Sequence, residues 1–121
     1  MKVLVNLNGN ICSQEQALIS VFDHGFLFGD SVYEVVRTYE KRPFKLDEHV
    51  QRMESSAKRI HLSLNIDLEE WKTRIQNTLS HFDGDEAYIR LIVTRGVGEI
   101  TLDPSVCPYP NHIIIVKPLE S

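Results

Sequence analysis

Val32-Tyr33-Glu34-Val35-Val36-Arg37-Thr38-Tyr39 is followed, after a short polar turn and Phe44-Lys45, by Leu46-Asp47-Glu48-His49-Val50-Gln51-Arg52-Met53. The first stretch alternates: Tyr33, Val35, Arg37 and Tyr39 share one face of a strand, and Val32, Glu34, Val36 and Thr38 share the other. The second changes period. Leu46, Val50, Met53, Ala57, Ile60 and Leu64 recur at intervals of four, three, four, three and four, the spacing of an amphipathic helix. Asp47 is the expected N-cap, and Glu48 suits the positive end of the helix dipole. Between them, Glu40 to Pro43 reads as the turn of a hairpin whose return arm is Phe44-Lys45.

Working outward, Val3 to Leu7, Asn8-Gly9 and Asn10 to Cys12 spell a tight hairpin, because Asn and Gly tolerate the positive φ of a type I′ turn. A short apolar stretch at Ile19 to Phe22 leads into Asp23-His24-Gly25-Phe26-Leu27-Phe28-Gly29-Asp30. Its two glycines break any regular element and imply a backbone that bends while side chains pack around it. Downstream, Asp67 with Glu70 resembles a capping box opening a second helix. The apolar face of that helix is Leu68, Trp71, Ile75, Leu79 and Phe82, and Asp83-Gly84 ends it. Ala87 to Thr94 is a strand with Ile89, Leu91 and Val93 on one face and Tyr88, Arg90, Ile92 and Thr94 on the other. Arg95 to Tyr109 is a long connection, and His112 to Lys117 is an apolar run fit for a central strand buried on both faces. Strands, two helices, then strands describe an α+β domain: a mostly antiparallel sheet with two helices packed on one side.

The chain has 121 residues, 42% hydrophobic and 25% charged, which suits one globular domain and excludes disordered and fibrous classes. Thirteen Lys and Arg against seventeen Asp and Glu give a net charge of -4, so binding nucleic acid through bulk positive charge is excluded. No apolar run approaches the roughly 18 residues of a membrane span, and Met1-Lys2-Val3-Leu4-Val5 breaks at Asn6, too early for a signal peptide. Cys12 and Cys107 make no disulfide framework, and a cytoplasmic setting is expected.

Two sets of residues can carry chemistry. Tyr33 and Arg37 share a face, as do Tyr88 and Arg90. If the two strands lie in one sheet with these faces aligned, guanidinium forks and phenols converge on what would be a carboxylate or phosphate site; otherwise both arginines pair with surface acids. Arg52 sits at the edge of the apolar stripe of the first helix, where it either snorkels to solvent or points into a cleft and binds an anion. Gly96-Val97-Gly98 is no dinucleotide fingerprint, since Thr101 stands where the third glycine belongs. The five histidines lack metal-ligand spacing, Cys107 has no basic neighbour in sequence to activate it, and no serine is framed as a nucleophile.

In combination these segments resemble the class IV aminotransferase family of pyridoxal-phosphate enzymes. The resemblance rests on Asn8-Gly9, on Val21 through Tyr39, on Leu46-Asp47-Glu48-His49-Val50-Gln51-Arg52-Met53 with Ser56-Ala57-Lys58, on Ala87 through Gly98, and on Leu102-Asp103-Pro104. It covers nearly the whole chain. It implies the small N-terminal domain of the D-amino-acid aminotransferase-like fold over residues 1–121, with the larger C-terminal domain absent from this chain. It further implies that Arg52 reaches the phosphate of pyridoxal 5′-phosphate, and that Tyr33, Arg37, Tyr88 and Arg90 line the substrate pocket. The loops bearing Phe28 and Leu102 would serve the neighbouring subunit's site, which implies a homodimer.

Tyr88-Ile89-Arg90 resembles the branched-chain enzymes, near the substrate carboxylate. Phe28 stands where those enzymes usually have Tyr, and Val35 where they favour Gly, so Tyr33-Glu34-Val35-Val36 looks more like the D-amino-acid enzymes. The Arg and His that the latter carry after the Arg-Gly of the strand end have no counterpart in Val97 to Leu102. A branched-chain-like L-amino acid and a 2-oxo acid are therefore the favoured substrates, with a D-amino-acid aminotransferase or aminodeoxychorismate lyase as alternatives. Transamination also needs a lysine that carries the cofactor and shuttles a proton. Lys2, Lys41, Lys45, Lys58, Lys72 and Lys117 match no such motif, so no catalytic residue is assigned, and the chain alone is expected to be inactive and to hold the cofactor weakly. In isolation it could behave as a non-catalytic, self-associating module.

Overall fold

A computed structural model describes residues 3–120; Met1 and Lys2, which open the N-terminal reading, lie outside them. The elements run β1 (Leu4–Leu7), β2 (Asn10–Cys12), α1 (His24–Phe28), β3 (Ser31–Tyr39), β4 (Arg42–Pro43), α2 (Leu46–Arg59), α3 (Leu68–Leu79), β5 (Ala87–Thr94) and β6 (Asn111–Pro118). The strands form one sheet in the order β2-β1-β6-β5-β3-β4, and every pair is antiparallel. The α+β class and the two long helices on one side of the sheet are as the sequence implies.

The core lies between that helical layer and one sheet face. Val32 and Val36 of β3, Ile89, Leu91 and Val93 of β5, and Ile114 and Val116 of β6 meet Val50, Met53 and Ala57 of α2 and Trp71 and Ile75 of α3. The alternation in β3 and β5 therefore sorts residues as expected. In β6 it corrects the expectation of burial on both faces: Ile114 and Val116 are buried, whereas Ile113 and Ile115 are only partly covered. Among the described residues, no second layer covers the outer face.

Three local features depart from the sequence reading. First, α2 ends at Arg59 instead of continuing through Leu64. His61 and Asn65 turn into the left-handed region at φ 53° and 56°, so Leu62 and Leu64 reach the core from an extended segment. Arg95 holds this end by donating to the carbonyls of Ile60 (2.7 Å) and His61 (2.9 Å). Second, the N-cap of α2 is Lys45, left-handed and without a side-chain cap bond, while Asp47 lies inside the first turn with Glu48. Third, Asp23 to Asp30 is not irregular throughout: Asp23 caps α1 through the Gly25 amide, and Gly29 at φ 67° stops it. The second helix is capped by Asp67 as expected, with the Glu70 amide 2.8 Å away. It stops at Leu79, before the expected Asp83-Gly84.

Both hairpin turns use positive φ. Asn8 and Gly9 (φ 54° and 94°) link β1 to β2, and Glu40 and Lys41 (φ 50° and 65°) link β3 to β4. Left-handed backbone is unfavourable at non-glycine residues, and Glu86 offsets that cost in the second turn. Its carboxylate accepts from Thr38 Oγ1 (2.7 Å) and from the amides of Glu40 (2.7 Å) and Lys41 (2.9 Å), bonds that hold its pKa below the usual carboxylate range.

Gly96, at φ 96°, lies so close to the Tyr109 carbonyl that an added Cβ would sit 1.8 Å from that oxygen. Gly96→Ala is expected to cost more than about 3 kcal/mol, from backbone strain and overpacking combined, read as a fall in the urea midpoint. His112 is buried, with Nε2 against the Leu64 carbonyl and Nδ1 accepting from Arg74 Nη1 at 3.4 Å. Burial, and then the nearby Arg74, hold its pKa below the ordinary imidazole value of 6.5 despite the Leu64 bond. The unfolded chain therefore takes up a proton first as the pH falls. Stability is predicted to decline from about pH 6.5 downward until the folded imidazole titrates. Urea melts across this range should show that decline, and His112→Gln should flatten it.

Candidate functional site

The register of β3 on β5 pairs Tyr33 with Ile92, Val35 with Arg90 and Arg37 with Tyr88. All six project from the sheet face opposite the helices, so the alignment on which the sequence reading depended is present. Arg90 is the organised member. Its guanidinium carbon stands 4.7 Å from the centre of the Tyr33 ring, and its Nε donates to Tyr88 Oη at 3.1 Å. A cation over an aromatic face is attracted by the ring quadrupole. The terminal nitrogens of Arg90 have no hydrogen-bond partner among the described residues, so the end of its fork is free to receive a carboxylate. Lys117 of β6 closes the group on the far side, 5.3 Å from the centre of the Tyr88 ring.

Arg37 behaves differently. It lies on the same face but turns along its own strand, donating to the Thr38 carbonyl at 2.9 Å and stacking 3.7 Å from the Tyr39 ring centre. The structure thus joins Tyr33, Tyr88 and Arg90 into one cluster and leaves Arg37 beside it.

Arg52 is on the other side of the sheet. Neighbouring residues of a strand point to opposite faces, so Tyr33 serves the open face and Glu34 the helical one. Glu34, with only 8% of its side chain exposed, receives Arg52, whose side chain is 68% exposed. Arg52 Nε donates to Oε2 at 3.0 Å and to Oε1 at 3.1 Å, and Nη2 donates to Oε1 at 2.8 Å. His49 Nδ1 lies 2.8 Å from the same Oε1. Burial opposes ionisation of Glu34, but the Arg52 and His49 bonds outweigh it and hold the carboxyl below its usual range. Lys45, Glu48, His49 and Arg52 line a shallow depression of about 280 Å³. Among the larger depressions are one of about 490 Å³ beside β2 and one of about 380 Å³ between the N-terminal part of α2 and α3. Neither contains a candidate residue.

The two sides are connected by an open edge. β3 pairs with β5 along residues 31–37 but with β4 only at Thr38 and Tyr39, so beside Tyr33 and Glu34 the strand has no outer neighbour among the described residues. Arg52 lies on the helical side of that edge through its bonds to Glu34, and Arg90 on the other side against the Tyr33 ring. The roles of Glu34 and His49 escaped the sequence reading. Their signal was present: Glu34 is the one charged residue on the inward face of an otherwise apolar and Thr-bearing strand, and His49 stands three residues before Arg52 on one helix face.

The remaining candidates lie at one end of the sheet, one on α1 and one in a loop. Phe28 ends α1, its ring edge-on to buried His24 at 5.0 Å and 42% exposed; Leu102, in the long connection, is 83% exposed. Beneath them is a buried polar cluster. Asp23 accepts from the Gly25 amide, Thr94 Oγ1 and Asn111 Nδ2, each at 2.7 Å. Asp30 takes both Nε and Nη2 of Arg95. Gly25 fits because an added Cβ would lie 2.8 Å from that of Thr94. Burial pushes the Cys107 thiol above its usual range, which suits an inert residue.

Comparison with known proteins bears on this geometry. The family model described as amino-transferase class IV matches residues 31–121. The "Putative branched-chain-amino-acid aminotransferase" of Methanocaldococcus jannaschii is 41% identical over 115 residues, 95% of this chain and 40% of that protein. A D-alanine aminotransferase of Listeria monocytogenes is 37% identical over 97 residues, 80% of this chain and 33% of that protein. Among solved structures, a branched-chain amino acid aminotransferase from T.th., in complex with pyridoxamine 5′-phosphate, superposes with a TM-score of 0.87 at 30% identity, covering 97% of this chain and 40% of that one. This chain thus spans about 40% of the length of the Methanocaldococcus jannaschii relative. On the match of the family model over residues 31–121, the chain belongs to the class IV aminotransferases.

Proposed function

We propose that this chain is the N-terminal domain of a pyridoxal-phosphate-dependent aminotransferase. It would act with a C-terminal domain that supplies the cofactor-bearing lysine, on a branched-chain-like L-amino acid and a 2-oxo acid. The observation that carries this reading is the pair of free guanidinium ends flanking one open strand edge: Arg90 on the outer face and Arg52 on the helical face. A phosphate at one end and an α-carboxylate at the other is the charge pattern that cofactor and substrate together present.

The residues of this chain divide the work. Arg52 binds the cofactor phosphate through the part of its fork that Glu34 leaves open, with Lys45 nearby adding positive potential. Arg90, already fixed by Tyr33 and Tyr88, receives the substrate carboxylate with little loss of side-chain entropy. Arg37 and Tyr39 extend the polar rim of that face. Ile92, Ile113 and Ile115 supply apolar wall and favour an aliphatic side chain over a charged one. The bound cofactor supplies an electron sink for the bond broken at the substrate α-carbon. No residue of this chain is assigned to the proton transfer there.

Phe28 and Leu102 are exposed apolar residues, as are Leu18 (72%), Phe26 (66%) and Ile100 (67%). A surface made of such residues marks an interaction site, and the occupant proposed for it is a second copy of the chain, so that each copy completes the other's pocket.

Two experiments test this reading. The chain alone, with pyridoxal phosphate, an amino acid and a 2-oxo acid, is expected to give no turnover, and addition of the C-terminal domain should restore it. In the restored enzyme Arg52→Ala should weaken cofactor binding at least about tenfold. Arg90→Gln should raise KM for both substrates by about tenfold and leave cofactor affinity unchanged. The reverse pattern would refute the assignment. Light scattering of the chain should show a dimer that Leu18→Asp with Phe26→Asp converts to monomer; a wild-type monomer at high concentration refutes the proposed interface.

A further inference from the structure

We infer that Glu34 is a positioning residue: it fixes the guanidinium plane of Arg52 so that one defined edge meets the cofactor phosphate. This rests on the assignment of Arg52 to that phosphate.

The two partners are unlike. Arg52 is a long side chain, mostly in solvent, and such a side chain gives up considerable rotamer freedom on being fixed. Glu34 is the opposite case, since it stands on a paired strand with 8% of its side chain exposed. An exposed ion pair contributes little to stability, and burying a carboxylate carries a desolvation cost. Stability alone is therefore a weak reason for placing Glu34 in the helix-facing row of β3.

The bonding pattern supplies a better one. A guanidinium offers its donors along distinct edges. Glu34 takes the edge formed by Nε and Nη2, with bonds of 3.0 and 2.8 Å to its two oxygens. Nη1 has no partner among the described residues, and with the second hydrogen of Nη2 it forms another fork. Since the first edge is fixed, the second has a fixed direction. His49, 2.8 Å from Oε1 and only 23% exposed, limits rotation of the carboxylate itself. Strand and helix together thus define the plane of one exposed guanidinium.

Such a carboxylate has two opposed effects on anion binding. Its charge lowers the local positive potential, and its bonds pre-pay the ordering of the fork. Neutralising it without changing its shape separates the two, because the sign of the change in affinity shows which effect prevails. Positioning predicts weaker binding in spite of the gain in net positive charge.

The test uses the chain assembled with the C-terminal domain and compares pyridoxal 5′-phosphate with pyridoxal, which lacks the phosphate. Glu34→Gln is expected to weaken binding of the phosphorylated form about tenfold, with little change for pyridoxal. The Arg52 Nε–H resonance in 15N NMR should lose its order in the same variant. His49→Gln should give a smaller loss, about threefold, in the same direction, and it carries the test if Glu34→Gln does not fold. If Arg52→Ala abolishes the preference for the phosphorylated form while Glu34→Gln and His49→Gln bind as wild type or tighter, Glu34 merely competes for Arg52 and the inference is overturned. If Arg52→Ala binds as wild type, the assignment of Arg52 itself falls and the inference falls with it.

Discussion

A single carboxylate with no exposed surface holds one end of this domain together. Asp23 receives an amide from its own helix cap, a hydroxyl from the end of β5 and an amide nitrogen from the start of β6. A buried carboxylate with fewer donors would be strongly destabilising, so the three elements cannot separate without exposing that cost. Arg95, the next residue after β5, extends the constraint by holding Asp30 and the carbonyls of Ile60 and His61, just past the end of α2, at once. The segments carrying Phe28 and Leu102 are therefore mounted on a fixed base, and β3 leaves that base at a defined angle.

From there the chemistry follows from strand geometry. β3 sends alternate residues to opposite faces, and under the proposed function its open edge beside Tyr33 and Glu34 lets one strand serve both ends of an elongated ligand. A central strand could not do so, because its neighbour would separate the two faces. The helices cover one face and leave the other partly open, with Ile113 and Ile115 only partly covered, which fits a domain that meets further protein surface there.

Much of this architecture is legible in the sequence because it depends on local periodicity. The alternation of Val32 to Tyr39 and Ala87 to Thr94, the stripe of α2 and the Asp67 cap each need only neighbours along the chain. The convergence of Tyr33, Tyr88 and Arg90 needed one further fact, the register of two strands. What escaped were pairings between distant residues and backbone conformations that side-chain type predicts poorly. Glu34 with Arg52, Glu86 with the Glu40-Lys41 turn, and Arg95 with the end of α2 all join separate segments. Lys45, His61 and Asn65 adopt left-handed backbone without being glycine, and each shifts a helix boundary or redirects the chain. The apolar run in β6 misled for another reason: it records a face suited to being covered, and no layer among the described residues covers it.

Gly96 and Tyr109 bring the two ends of the long connection into backbone contact, closer than any side chain would allow. The residues between them form a closed loop on a rigid clasp. Its first part is tied down again, by Gly98 donating to the Phe22 carbonyl at 3.3 Å and His24 Nε2 lying 2.7 Å from the Glu99 carbonyl, so change that spares the register of β5 and β6 is confined to the residues beyond Glu99. A scaffold built this way can exchange an exposed stretch of its surface while the sheet stays unaltered, so surface and foldability can evolve separately.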